Sequence, residues 1–90
     1  MRARADAGAR LGLTLYSRSY CHLCEEMLAA LTALRSEFGF ALEVVDIDTD
    51  PVLAQRFDTL VPVLMHADTE LCHYRLDPGK VRAYLGSVNI

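Results

Sequence analysis

The sequence contains no apolar run near the ~18 to 20 residues that a bilayer-spanning helix requires, so a membrane span is not expected. Positive charge is also in short supply. Nine Lys and Arg stand against twelve Asp and Glu, for a net charge of -3. No broad basic surface follows from that balance, so neither nucleic acid nor a membrane is an expected partner. Cysteine is sparse: three residues are too few for a disulfide-stapled secreted scaffold, and the odd number leaves one without a partner within the chain. Internal repeats, low-complexity tracts and linkers are absent. What is present is a globular composition, 52% hydrophobic and 23% charged in 90 residues, which suits one compact domain and excludes disorder.

The segment Met1 to Arg10 is rich in Arg and Ala, but the apolar run behind it, Leu11 to Tyr16, is too short for the core of a signal peptide. Asp6 and the lack of serine argue against a transit peptide. Residues 1–10 therefore read as a flexible tail without function and residues 11–90 as the domain. A soluble cytoplasmic monomer with reduced thiols is the expected setting.

Leu11 to Tyr16 reads as an inner strand covered on both faces. After Ser17-Arg-Ser19 comes Cys21-His-Leu-Cys24, and from there Leu23, Met27, Ala30, Leu31, Leu34 and Phe38 recur in steps of three and four. That spacing predicts a helix that opens at the cysteines and stops at Gly39, with Glu25 and Glu26 favoured near its positive end. Phe40 to Ile47, rich in β-branched residues, predicts a second strand and hence a right-handed βαβ unit. Asp50-Pro51 then places a capping acid before a first-turn proline, starting a short helix that ends near Asp58. Val61 to Met65 and Leu71 to Tyr74 read as two further strands around a turn at Ala67–Glu70. Pro62 is unusual inside a strand and needs a reason. Asp77-Pro78 repeats the helix start, with Val81, Tyr84, Leu85 and Val88 on one face and Gly86 near the end. The predicted order is β-α-β-α-β-β-α, an α/β domain.

A Cys-x-x-Cys pair beside a βαβ pattern is the signature of a thioredoxin-like redox site. A helix N-terminus offers unpaired N–H groups and partial positive charge, which stabilise a thiolate. Cys21 is accordingly the expected nucleophile and Cys24, nearly a turn further in, the resolving thiol. His22 and Arg18 are candidates for tuning the couple, because any group that stabilises the Cys21 thiolate stabilises the reduced form. Arg18 has a plainer alternative as a solvated loop arginine. With His22 in place, a reduction potential of about -230 to -150 mV is expected. A metal site competes with this reading, since Cys72, His73 and His66 are the remaining soft ligands, but adjacent ligands make a poor knuckle and no metal is expected. No tightly bound cofactor is required either.

These residues also carry a resemblance. Tyr16-Ser-Arg-Ser-Tyr-Cys-His-Leu-Cys-Glu-Glu26, with Val45-Asp-Ile-Asp-Thr-Asp-Pro51 and Val61-Pro62, resembles the glutaredoxin-like branch of the thioredoxin superfamily over nearly all of the chain after residue ten. The resemblance implies a thioredoxin fold, a four-stranded mixed sheet in the order 2-1-3-4 flanked by three helices. It implies a cis bond before Pro62, with Pro62 set against the cysteines and the Val61 backbone offered to a bound peptide or to glutathione. It also implies thiol–disulfide exchange with protein or small-molecule disulfides, with glutathione as a candidate reductant. The chain departs from the pattern in two places: Cys-His-Leu-Cys replaces the common Cys-Pro-Tyr-Cys, and Tyr74-Arg-Leu-Asp77 stands where glutaredoxins carry Gly-Gly.

Among the other residues, the resemblance implies that Asp77 meets a substrate amine, whereas its place before Pro78 makes it the cap of the last helix. Tyr20 either shields the cysteines and faces a substrate or is an ordinary surface tyrosine. Cys72 reads as a small buried hydrophobe, and His66 and His73 as solvated strand-end side chains. The reading of the whole is a thiol–disulfide oxidoreductase. The alternative of a different class is a thioredoxin-fold binding module that docks a partner protein or holds metal through the cysteines without efficient turnover.

Overall fold

In the computed structural model the described residues are 11–88, so the expected N-terminal tail, residues 1–10, lies outside them. Eight elements follow one another: β1 (Gly12–Ser17), α1 (His22–Phe38), β2 (Ala41–Asp46), a 3-10 turn (Ile47–Thr49), α2 (Pro51–Phe57), β3 (Val63–His66), β4 (Thr69–His73) and α3 (Pro78–Val88). The strands form one sheet in the order β2-β1-β3-β4. β1 runs parallel to β2 and antiparallel to β3, and β3 is antiparallel to β4. The fold is the expected α/β thioredoxin fold, a mixed four-stranded sheet with three helices.

Burial divides between two clusters because strand side chains alternate between faces. Leu13 and Leu15 of β1 join Met27, Leu31 and Leu34 of α1, Leu64 of β3 and Val81 and Leu85 of α3. Tyr16, Val63 and Met65 point the other way, to Ile47 and to Leu53 and Phe57 of α2. The helices α1 and α3 thus cover one face and α2 the other. Tyr16 and Phe57 stack with ring centroids 4.6 Å apart, which holds α2 against the end of β1 that leads into the dithiol loop.

The helix boundaries follow the local chemistry. Gly39, at φ 72°, ends α1, and its N–H donates to the Arg35 carbonyl at 2.7 Å, closing the left-handed cap that glycine adopts without a Cβ clash. Asp50 caps α2 by accepting from the Val52 N–H at 2.9 Å, with Pro51 in the first turn. Asp77 caps α3, its Oδ1 accepting from the Lys80 N–H at 3.1 Å.

Four expectations shift. The second strand stops at Asp46 because its carboxylate accepts from the Asp48 N–H at 2.9 Å and starts the 3-10 turn. β3 begins at Val63, so Pro62, which has no N–H for a ladder, precedes the strand and does not interrupt it. The hairpin turn narrows to Ala67-Asp68, with His66 paired to Thr69. Ala67 takes a φ of 53°, a place usually given to glycine or asparagine, and that is why the sequence signalled a longer turn. Finally α3 runs through Gly86 to Val88, whose side chain is exposed rather than part of the buried face. An irregularity between Leu64 and Met65 sets Leu71 as an extra residue in β4, so the neighbours Leu71 and Cys72 both reach the α1–α3 core. No helix among the described residues is long and apolar enough to cross a membrane.

Candidate active site

β1 delivers the chain to a loop, Arg18 to Tyr20, that turns into α1 at Cys21. Cys21 is the N-cap, with extended backbone angles of φ -108° and ψ 104°. Its Sγ accepts from the Cys24 N–H at 3.1 Å, the role usually filled by a serine or aspartate oxygen. The Cys21 and Cys24 sulfurs sit at disulfide distance, and their Cα atoms are 5.2 Å apart. The two are unlike in access: Cys24 is 5% exposed and lies inside the core, whereas Cys21 is partly open. A sulfur that accepts an orphan N–H at the positive end of a helix is in the setting that favours thiolate.

The Val61–Pro62 bond is cis, as the resemblance implies. Pro62 is buried and its carbonyl accepts from the Tyr74 N–H at 2.9 Å, tying the start of β3 to the end of β4. No backbone hydrogen bond among the described residues uses the N–H or carbonyl of Val61. That pair of groups is the kind that an added extended strand can take up.

Arg18 does more than the sequence suggested. Its guanidinium forks onto Asp48, at 2.8 and 3.2 Å, and also meets the Asp58 carboxylate at 2.9 Å and carbonyl at 3.1 Å. Its side chain, 29% exposed, is a strut between the dithiol loop, the 3-10 turn and the end of α2. The two carboxylates raise the Arg18 pKa above its ordinary value, and the Arg18 hydrogen bond holds the Asp48 carboxyl below the usual range. His22 is 82% exposed on the first turn of α1, where its Nε2 pairs with Glu26 Oε2 at 2.8 Å. Tyr20 is fully exposed, with a φ of 60°.

Asp77 is engaged as the α3 cap. Cys72 is buried, and loss of solvent pushes its thiol pKa up, with a backbone hydrogen bond from Asp77 opposing. His66 is not merely solvated, because its Nδ1 meets the Tyr84 hydroxyl at 2.5 Å. His73 Nδ1 meets Glu70 Oε2 at 2.8 Å. Among the described residues no group of three or more His, Cys, Asp and Glu side chains is arranged to hold a metal ion.

A feature that the sequence did not announce is a groove of about 240 Å³ that reaches along α1 from Leu23, the second residue of that helix. Leu23, Met27 and Ala30 of α1 line one side, and Tyr74, Arg75 and Leu76 of the β4–α3 connection the other. Glu26 stands at its rim, 3.7 Å from Arg75. The signal available in the sequence was the step Leu23, Met27, Ala30 along α1. The β4–α3 side carried none, since it meets α1 only through the fold.

Comparison with known proteins agrees with this geometry. Protein Ne2328 of Nitrosomonas europaea, solved by NMR, is 41% identical, with 93% of this chain and 98% of that one covered and a TM-score of 0.75. The X-ray structure of protein XcR50 from X. campestris is 36% identical over 84% of this chain and 97% of that one, with a TM-score of 0.68. Fasciola hepatica thioredoxin shares the fold at 20% identity and a TM-score of 0.60, covering 90% of this chain and 83% of that one. The uncharacterized protein Rv0508 of Mycobacterium tuberculosis is 28% identical, over 83% of this chain and 82% of that one. With the dithiol at the head of α1, the cis proline before β3 and a match of residues 12–86 to the sequence model of the glutaredoxin-like domain (DUF836), the chain belongs to that glutaredoxin-like family.

Proposed function

We propose that the protein is a thiol–disulfide oxidoreductase in which Cys21 is the nucleophile and Cys24 the resolving thiol. The observation that carries the reading is the Cys24 N–H donating to Cys21 Sγ at the cap of α1, with the second sulfur buried within bonding reach. In the reduced protein the Cys21 thiolate attacks one sulfur of a substrate disulfide. A mixed disulfide forms and the other substrate sulfur leaves as a thiolate, which takes up a proton. Cys24, losing its proton, then attacks Cys21 Sγ, so that the internal disulfide closes and the substrate departs as its second thiol. Two electrons pass to the substrate. Two equivalents of an external thiol, with glutathione as candidate, return the pair to the dithiol. The Val61 backbone would hold the substrate chain beside Pro62 during attack. Protein or small-molecule disulfides are the substrate class, no bound cofactor takes part, and a reducing cytoplasm is the proposed setting.

Steady-state reduction of bis(2-hydroxyethyl) disulfide with glutathione as reductant tests the reading. Cys21→Ser is expected to fall to the uncatalysed background, and Cys24→Ser to accumulate a mixed disulfide on Cys21 visible by mass spectrometry. A Cys21→Ser variant as active as the parent would overturn the enzyme and leave a binding module.

A further inference from the structure

The loop Arg18-Ser19-Tyr20 carries the chain from β1 to Cys21, and its two ends are fastened by different means. At the far end Cys21 caps α1 in extended backbone, with its Sγ accepting from the Cys24 N–H at 3.1 Å. At the near end the Arg18 guanidinium makes four hydrogen bonds to Asp48 and Asp58. The sheet sets up that reach. Ser17, the last residue of β1, pairs with Asp46, so Asp48 lies just beyond the end of the same ladder. Between the two fastenings Tyr20 has a φ of 60°. Left-handed backbone is uncommon for any residue with a Cβ and is an outlier for a bulky one, so it persists only where the surroundings impose it. The Tyr20 side chain imposes nothing, because it is fully exposed. Nor does strand pairing, which accounts for the positive φ of Ala67 in the hairpin turn. What remains is the hold at either end: a chain fixed at Arg18 has to turn through Tyr20 to bring Cys21 onto the helix.

We propose that Arg18 is a positioning residue of the dithiol, whose hold on Asp48 and Asp58 keeps Tyr20 left-handed and thereby keeps Cys21 Sγ on the Cys24 N–H. The inference rests on the exchange reading above and deepens it. Arg18 acts by geometry and not by its charge, because two carboxylates already answer that charge. A loop released at Arg18 lets Tyr20 relax to negative φ, and the Cys21 sulfur leaves the donor that favours its thiolate.

Arg18→Lys keeps the charge but cannot fork onto two acids. The pH dependence of iodoacetamide alkylation at Cys21, located by mass spectrometry in the reduced protein, reads the thiolate. Its midpoint is expected to rise by about one pH unit in Arg18→Lys, the worth of one hydrogen bond to a charged group. Exchange with bis(2-hydroxyethyl) disulfide at neutral pH is expected to slow about three-fold. His22, Glu25 and Glu26 on the first turns of α1, and Asp48 and Asp58 at the clamp, are unaltered in this variant, so a shift does not report a change of charge. The decisive comparison uses Tyr20→Asn, because asparagine takes positive φ far more readily than tyrosine. In the Tyr20→Asn background, Arg18→Lys is expected to move the midpoint by less than half as much, since the loop keeps its turn without the clamp. Asp58→Asn weakens one arm of the clamp; it is expected to give a smaller shift of the same sign and serves where Arg18→Lys does not fold. An unchanged midpoint in both clamp variants, or a shift of equal size with and without Tyr20→Asn, overturns the positioning role and leaves the exchange reading intact. A parent protein inert toward bis(2-hydroxyethyl) disulfide overturns the exchange reading, and the role of Arg18 in exchange with it.

Discussion

His22 stands next to Cys21, the proposed nucleophile, but is paired with Glu26 on the outer face of α1. A donor or cation beside Cys21 favours the thiolate, which stabilises the reduced form and raises the reduction potential. The exposure of the pair limits the effect, since such surface contacts are worth roughly 0.2 to 1 kcal/mol and about 30 mV corresponds to 1.4 kcal/mol. His22→Ala is therefore expected to lower the potential by about 5 to 20 mV. A redox titration against glutathione buffers reads the shift, and a parent value as low as about -270 mV would contradict the expected range. The placing of the cysteine pair was legible in advance, because spacing and the start of the helical period pick out Cys21 and Cys24 together. The destination of Arg18 was not, since Asp48 and Asp58 lie 30 and 40 residues away along the chain.

Between elements, that same Arg18 ties the dithiol loop to the 3-10 turn and to the end of α2. Asp48 is held below its ordinary pKa by Arg18, so the folded state binds the proton less well than the unfolded chain. The stability this contributes is present above the unfolded value, about pH 4, and is lost as pH falls through the lowered one. Urea unfolding measured from pH 5 to pH 2 is expected to show a smaller acid loss for Asp48→Asn than for the parent. An identical pH profile for the two proteins would mean that the strut adds nothing beyond its replaceable hydrogen bonds. Most helices were legible at this level from Asp50-Pro51, Asp77-Pro78 and Gly39, because a cap is a local event. The β3–β4 turn was legible in place but not in length, because Ala67 adopts its conformation under the pairing of His66 with Thr69.

For the molecule as a whole, stability rests on a sheet filled from both sides, α1 and α3 above Leu13, Leu15 and Leu64, and α2 behind Val63 and Met65. Leu31 is fully buried at the centre of the larger cluster. Leu31→Ala is expected to cost about 2 to 5 kcal/mol, the transfer loss plus a cavity in a packed site. Val52, 70% exposed on α2, is the control, and Val52→Ser should stay within about 0.5 kcal/mol of the parent. Chemical denaturation curves of equal slope measure both. Similar costs at the two positions would contradict the layered core.

By itself the sequence determined what depends on neighbours along the chain: the order of elements, the caps, the face of each helix and the placing of a dithiol at a helix start. Periodicity and capping are short-range, so they survive without coordinates. The cis bond before Pro62 was expected only through the family resemblance. The tertiary structure alone decided what joins distant segments: Arg18 onto Asp48 and Asp58, Leu71 and Cys72 onto one core, and Tyr74 onto Thr59 and Pro62. Those contacts arise where strand pairing brings loops together, and no local pattern encodes which loops will meet. The groove between α1 and the β4–α3 connection belongs to that second class.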